Sequence, residues 1–226
     1  ENAERSRGSS WNFTVVYFFI STFGQSADIP DLIPKSINKK TGYIDQKGNV
    51  IIEPQYHIAM FFAEDCNLLN SPKENLRQFG SADFATVEQD RISYRIDKTG
   101  KRVYQYQKND LGKCLKPYET LKYKAFAYNG FYGLTIKSDA DVRNFRDFEI
   151  YPQYQMLYVL DGNIEDPMII AVRENKFGII NKKNQIVIPF EYEDIKTNLS
   201  WKTASLFQVT KNGRDYFYVD KNNQAY

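Results

Sequence analysis

One short phrase is written twice in this chain, and its recurrence narrows the possible folds more than any single residue does. Thr41-Gly42-Tyr43-Ile44-Asp45 passes through Gln46-Lys47-Gly48 into Val50-Ile51-Ile52-Glu53-Pro54-Gln55-Tyr56. Lys176-Phe177-Gly178-Ile179-Ile180-Asn181 passes through Lys182-Lys183-Asn184 into Ile186-Val187-Ile188-Pro189-Phe190-Glu191-Tyr192 in the same order. A fainter copy opens with Tyr132-Gly133-Leu134-Thr135-Ile136 and closes with Ile150-Tyr151-Pro152-Gln153-Tyr154, while Tyr94-Arg95-Ile96-Asp97 and Tyr216-Phe217-Tyr218-Val219-Asp220 repeat the opening alone. Anchors at Tyr43, Tyr94, Tyr132, Phe177 and Phe217 lie 51, 38, 45 and 40 residues apart. That period belongs to repeat architectures in which each copy is one supersecondary unit.

Each later anchor is preceded by a second apolar run: Phe84 to Val87, Ala125 to Tyr128, Ile169 to Val172 and Leu206 to Val209. The linking residues are Gln89-Asp90, Asn129-Gly130, Glu174-Asn175 and Lys211-Asn212-Gly213, types that tolerate the left-handed backbone of hairpin tips. After the anchor comes a turn such as Asp45 to Gly48 or Asp97 to Gly100, where the acid bonds the backbone and glycine takes positive φ. Pro54, Pro152 and Pro189 are expected to stop the third strand. Tyr56, Tyr154 and Tyr192 are expected to fold over the core with the hydroxyl on a polar partner. The predicted fold is all-β, an array of about five antiparallel β-meander repeats arranged as a β-propeller-like ring or an open β-repeat array. Three strands per unit is one short of a propeller blade.

Residues 1–40 read as an N-terminal segment and 41–226 as the repeat domain. The apolar run from Trp11 to Phe23 follows Arg5 and Arg7 and precedes Gly24-Gln25-Ser26-Ala27, the order of a secretory signal. It is short for a membrane span. The alternation of Phe13, Val15, Tyr17 and Phe19 reads equally as a strand, which would complete the last repeat and either close a ring or cap an open array.

Thirty basic and 28 acidic residues leave a net charge of +2, which gives no reason to expect nucleic acid, a ligand that normally demands a basic stripe for counterion release. His57 is the sole histidine, and any Ser-His-Asp or Cys-His arrangement, including one with Cys66, must use it. No phosphate loop, dinucleotide glycine series or His-Glu-x-x-His motif occurs. Glu64-Asp65 and Glu193-Asp194 serve glycosidic chemistry only if the fold sets them at the required separation. Asp139 and Asp141 lack the ligand set of a calcium loop. Cys66 and Cys114 suffice for one disulfide in an exported protein but not for a zinc site. No metal or cofactor is expected.

The repeated phrase resembles the WG, or KWG, repeat family, whose units run aromatic-Gly-aromatic-Ile-Asp, a Lys-Gly turn, a Val-Ile-Pro strand and a Tyr. The resemblance covers residues 41–226. The family tryptophan is absent from every anchor, where Thr41, Ile92, Phe131 and Lys176 or Phe177 stand in its neighbourhood, and Ser93 replaces the second glycine. The resemblance implies a bacterial β-repeat protein and no particular activity. A rigid scaffold with divergent loops at 64–82, 137–147, 158–167 and 196–205 points to recognition. The expected function is a non-enzymatic protein-binding module, in its specific form an exported immunity or inhibitor protein that neutralises a toxin or effector in the periplasm or outside the cell. A cytoplasmic site is the alternative location. Binding of cell-wall glycan is the alternative function, and a carboxylate-dependent hydrolase comes third. Trp201 is the leading candidate contact because tryptophan anchors interfaces, with packing onto the last repeat as its competing role; Phe79, Arg77, Glu64 and Asp65 complete the set.

Overall fold

The computed structural model describes residues 29–63, 83–107, 110 and 121–226. Their strands form five antiparallel sheets in chain order, none of which closes on itself. The first holds β1 (Ile33–Ile37), β2 (Lys40–Ile44) and β3 (Val50–Tyr56). The second holds β4 (Ile58–Ala59), β5 (Phe84–Gln89), β6 (Ile92–Asp97) and β7 (Arg102–Gln105). The third is β8 (Lys124–Tyr128), β9 (Phe131–Thr135) and β10 (Ile150–Tyr154). The fourth is β11 (Met156–Val159), β12 (Met168–Arg173), β13 (Lys176–Asn181) and β14 (Ile186–Tyr192). The fifth is β15 (Asp194–Ile195), β16 (Phe207–Thr210) and β17 (Tyr216–Val219), with the short helix α1 (Ser200–Ala204) between β15 and β16. The first sheet starts at Ile33, so the repeat domain reaches further upstream than residue 41.

Three chain segments each serve two sheets. β3, β10 and β14 pass through a single residue, His57, Gln155 or Glu193, directly into β4, β11 or β15. That residue already donates its N–H to the next sheet, at 2.8 Å to the Glu88, Val172 or Thr210 carbonyl. These continuations supply the fourth strand of the second and fourth sheets, which the repeat pattern alone does not separate from the third strand of the preceding unit.

Four hairpin tips, Asn38-Lys39, Asp90-Arg91, Asn129-Gly130 and Glu174-Asn175, have positive φ at both central residues, the mirror-image turn whose twist matches the strands. The second tip lies one residue later than Gln89-Asp90. In the turns after the anchor strands, Asp45, Asp97, Asn181 and Asp220 each accept two downstream backbone N–H groups on one side-chain oxygen, at 2.8–3.1 Å. Gly48, Gly100, Asn184 and Asn223 take the left-handed position.

Hydrogen bonds to the charged form, led by Asn49 for Asp45 and Thr99 for Asp97, hold these exposed carboxyls below their ordinary pKa. Their contribution to stability is therefore full above the unfolded carboxylate pKa and is lost as pH falls through the lower folded value. Asp45→Asn keeps the acceptor oxygen, as Asn181 does natively. Its urea midpoint should fall less than that of the wild type between about pH 5 and about pH 2; an unchanged acid slope would place the sensitivity elsewhere.

The prolines lie inside the third strands rather than ending them. In the first sheet Thr41 pairs with Tyr56 and Tyr43 with Ile52, so Gly42 faces the bulged stretch Glu53 to Gln55. Gly133 and Gly178 face the equivalent stretches at Pro152 and Pro189. A Cβ on Gly42 would lie 2.2 Å from the Ile52 carbonyl oxygen, and one on Gly133 2.4 Å from that of Ile150. The bulge thus explains the glycine: a proline has no amide to lose from the ladder there, and the bowed strand leaves no volume above the facing Cα. Counting back three residues from Asp97 and Asp220, the equivalent positions hold Tyr94 and Phe217, so Tyr94 and not Ser93 replaces the second glycine. β6 pairs Tyr94 directly with Gln105, and the Arg102 guanidinium lies 4.0 Å above the Tyr94 ring.

Strand alternation distributes each sheet's residues between two neighbours. Ile169, Ala171 and Ile180 pack against the third sheet, while Ile170 and Ile179 pack against the fifth. The first sheet likewise sends Tyr43 and Ile52 toward the second, and Ile33 and Ile44 toward Ala204 and Leu206 of the last repeat. First and last repeats therefore meet, and the Lys35 ammonium donates to the Tyr226 carbonyl at 3.2 Å. Among the described residues no buried apolar cluster joins the second sheet to the third. Among the described residues the array is open at that point. The ring-closing strand expected within residues 11–27 lies outside the described residues.

Tyr56, Tyr154 and Tyr192 are 1%, 4% and 1% exposed, and the last two span repeats. Tyr154 donates to Asn184 and Tyr192 to Asn223, both at 2.6 Å, so each ring ties its own sheet to the turn of the next. Tyr106, which the phrase did not reveal, fills this place in the second repeat, where its hydroxyl meets that of Thr86 at 2.7 Å.

Candidate functional site

Two features stand out from the buried sheets. The first is the face of the third sheet that points away from the fourth. Ala125 pairs with Leu134, which packs against the fourth sheet, so the flanking pairs Phe126 with Gly133 and Tyr128 with Phe131 present their side chains on the opposite face. Phe126 meets Phe148 edge-on at 5.1 Å, Phe148 meets Tyr151 at 5.5 Å, and Tyr151 meets Phe145 at 4.5 Å. Phe145, Phe131 and Tyr128 are 68%, 48% and 42% exposed. Apolar rings gathered at this exposure on one face mark a surface that gains by being covered.

A built turn presents Phe145. The buried Asp147 carboxylate accepts from the Lys137 ammonium, from Asn144 Nδ2 at 2.8 Å and from the Asp141 amide at 3.1 Å. Its carbonyl accepts from Thr135 Oγ1 at 2.6 Å. Asn144 caps the 3-10 turn Phe145–Asp147. The hydrogen-bonded Arg143 guanidinium beside Asp141 lowers that carboxyl to about 2. Lys124, on the ring-bearing face, and Arg146, beside Phe145, have no ionic partner among the described residues.

The second feature is where the first, second and fifth sheets meet. A cavity of about 200 Å³ is lined by Pro34, Ser36, Thr41, His57, Ile58, Ala59, Gln208, Tyr216 and Tyr218. His57 and Ile58 also line an adjoining cleft of about 550 Å³ with Glu88, Asp90 and Arg91. His57 occupies the joint position held elsewhere by Gln155 and Glu193, and its contacts follow the same rule. Lys40 Nζ lies 3.2 Å from His57 Nε2, Gln155 bonds Asn175, and Glu193 pairs with Lys176. Each joint residue is thereby tied to the hairpin beside it.

The residues named from sequence scatter. Trp201 sits in α1, half-buried, stacked on Phe207 with ring centres 4.5 Å apart and planes 5° apart, and a Cβ on Gly162 would touch it at 3.3 Å. Packing onto the last repeat explains it. Glu64, Asp65, Cys66, Arg77, Phe79 and Cys114 lie outside the described residues. Glu193 is tied to Lys176, and Asp194 accepts from Tyr216 at 2.6 Å and Lys196 at 2.9 Å; as successive residues they enter separate networks. Among the described residues no group of three or more His, Cys, Asp or Glu could hold a metal ion, and no helix is long and apolar enough to cross a membrane. Sequence reading missed the aromatic face because its rings come from three separate segments, although the divergent stretch 137–147 supplies Phe145.

Meander sheets linked through shared strands, with a glycine under each proline bulge, define a tandem β-repeat protein. The WG containing repeat model matches residues 42–66 and 177–214. Each match runs from an anchor strand across the joint, past His57 in one case and Glu193 in the other. These two units belong to the WG repeat family. No curated protein matches the chain. A solved structure described as "Crystal structure of the eukaryotic initiation factor" is 7% identical over 87% of this chain and 52% of that one, with a TM-score of 0.28. The chain thus spans about half of that structure's length, and a likeness so slight carries no argument.

Proposed function

We propose that the chain is a non-enzymatic protein-binding module that engages its partner through the aromatic face of the third sheet. The observation that carries this reading is the exposure of Phe145, Phe131 and Tyr128 on one rigid face. Aromatic residues and arginine are enriched at the centres of protein interfaces. Lys124 and Arg146 favour a polypeptide whose own apolar patch is bordered by carboxylates. In its specific form the partner is a toxin or effector that the chain neutralises in the periplasm or outside the cell, where a one-to-one complex on a preformed surface serves inhibition.

The test is affinity capture with the tagged chain, repeated with Phe131→Asp/Phe145→Asp and with Tyr158→Asp, an exposed aromatic on the fourth sheet, as control. A stoichiometric protein retained by the wild type and the control should bind the double variant at least about thirtyfold more weakly, since one lost anchor alone is worth about 2 kcal/mol. A partner held equally by the double variant, or no stoichiometric partner, removes the proposal.

A further inference from the structure

The cavity between the first, second and fifth sheets has a lining of one chemical kind. Ser36, Thr41, Tyr216 and Tyr218 supply hydroxyls, Gln208 an amide and His57 an imidazole, while Pro34, Ile58 and Ala59 are apolar. No Asp, Glu, Lys or Arg lines it. The nearest charges, Lys40 on His57 and Asp194 on Tyr216, stand behind the lining and are already engaged with it, so a charged ligand would gain little there in exchange for its hydration.

Several of these groups keep unused hydrogen-bonding capacity. Ser36 and Thr41 share one bond at 2.9 Å, which leaves each oxygen a further acceptor site. Gln208 Oε1 accepts from Asn198 at 2.7 Å, so its amide nitrogen still has protons to give. His57 Nε2 is engaged by Lys40 Nζ at 3.2 Å, which leaves the other ring nitrogen for a ligand. The Tyr218 hydroxyl has no hydrogen-bond partner among the described residues, while its ring is held edge-on by Phe61 at 5.0 Å. Desolvation raises this phenol to about 12. It therefore remains a donor at neutral pH.

Volume sets the size of the occupant. About 200 Å³ lies below the roughly 300 Å³ at which sites for drug-sized ligands begin, so one ring fits and an oligomer does not. We infer that this junction is a binding site for a neutral, polyhydroxylated ring, a single sugar unit, held by Tyr218, Gln208, Ser36, Thr41 and His57 against the tyrosine rings. The hydroxyl-rich ligand matches the donors and acceptors, and its apolar C–H face matches the aromatic and aliphatic walls. The lining comes from both ends of the repeat array, so the site exists only when first and last repeats meet. It is separate from the aromatic face of the third sheet, and each proposal stands or falls without the other.

Saturation-transfer NMR on the whole chain tests it, with glucose and N-acetylglucosamine as probes up to about 10 mM, tenfold above a weak Kd of about 1 mM. Saturation transfer to at least one sugar is expected. Tyr218→Phe, which keeps the ring against Phe61, and Gln208→Leu should each weaken that binding about fivefold to tenfold through one lost hydrogen bond, with far-UV circular dichroism unchanged. Phe131→Asp/Phe145→Asp should leave it intact. No transfer to either sugar, or transfer that both cavity variants leave unaltered, overturns the assignment.

Discussion

Gly42→Ala should destabilise the chain by about 3 kcal/mol, near the upper end for one methyl group forced into a packed interior. The added carbon would lie 2.2 Å from the Ile52 carbonyl oxygen and 2.7 Å from the Pro54 nitrogen. These are backbone atoms, so no rotamer change relieves the clash, and the proline bulge must flatten or the first sheet must open. Gly48→Ala is the informative comparison. Gly48 has φ +86° and open space around it, so alanine there meets only the left-handed backbone penalty, about 1 kcal/mol. Urea unfolding of both variants separates the two meanings of glycine in one repeat. If Gly42→Ala lost no more than Gly48→Ala, the close approach of strand and bulge would be wrong.

The meeting of first and last repeats makes the second large prediction. Ile33 and Leu206 are fully buried in one cluster though far apart in the chain. Leu206→Ala should reduce stability by about 3 kcal/mol and Ile33→Ala by a similar amount, the range for truncating a buried aliphatic side chain. The decisive quantity is their coupling. Residues sharing one cavity show interaction energies of about 0.5 kcal/mol or more, and distant sites add. A double-mutant cycle read from urea midpoints should therefore show clear non-additivity, and strict additivity would separate the two ends of the array.

Much of this architecture was legible in the sequence because its signals are local. The Asn129-Gly130 and Glu174-Asn175 tips, the Asp45 and Asp97 turns and the buried repeat tyrosines each express a backbone need that a few adjacent residues satisfy. The role of proline was misread for a physical reason. A proline after a strand and one inside a bulge look alike in sequence, and only the pairing of Thr41 with Tyr56 reveals the bulge. Tyr94 was misaligned with its neighbour Ser93 because the second repeat has lost the bulge that demands glycine. The binding surfaces were the least legible. Phe126, Phe131, Phe145 and Tyr151 become one patch only when the third sheet pairs, and Ser36, Tyr218 and Gln208 meet only when the array's two ends pack. Trp201 drew attention by type, and its stack on Phe207 shows why type alone misleads.

The single residue at each joint also governs how such a chain can change length over evolution. His57, Gln155 and Glu193 each leave one strand and enter the next without slack, so a one-residue insertion there would turn the side chains of the strand that follows to the opposite face. Added sequence has to enter elsewhere. Among the described strands the widest separations in the chain follow this rule: they fall between β4 and β5 and between β7 and β8, and not at a joint. New loops, and any new specificity they bring, can thus be acquired at these permissive points while the shared strands keep the neighbouring sheets in phase.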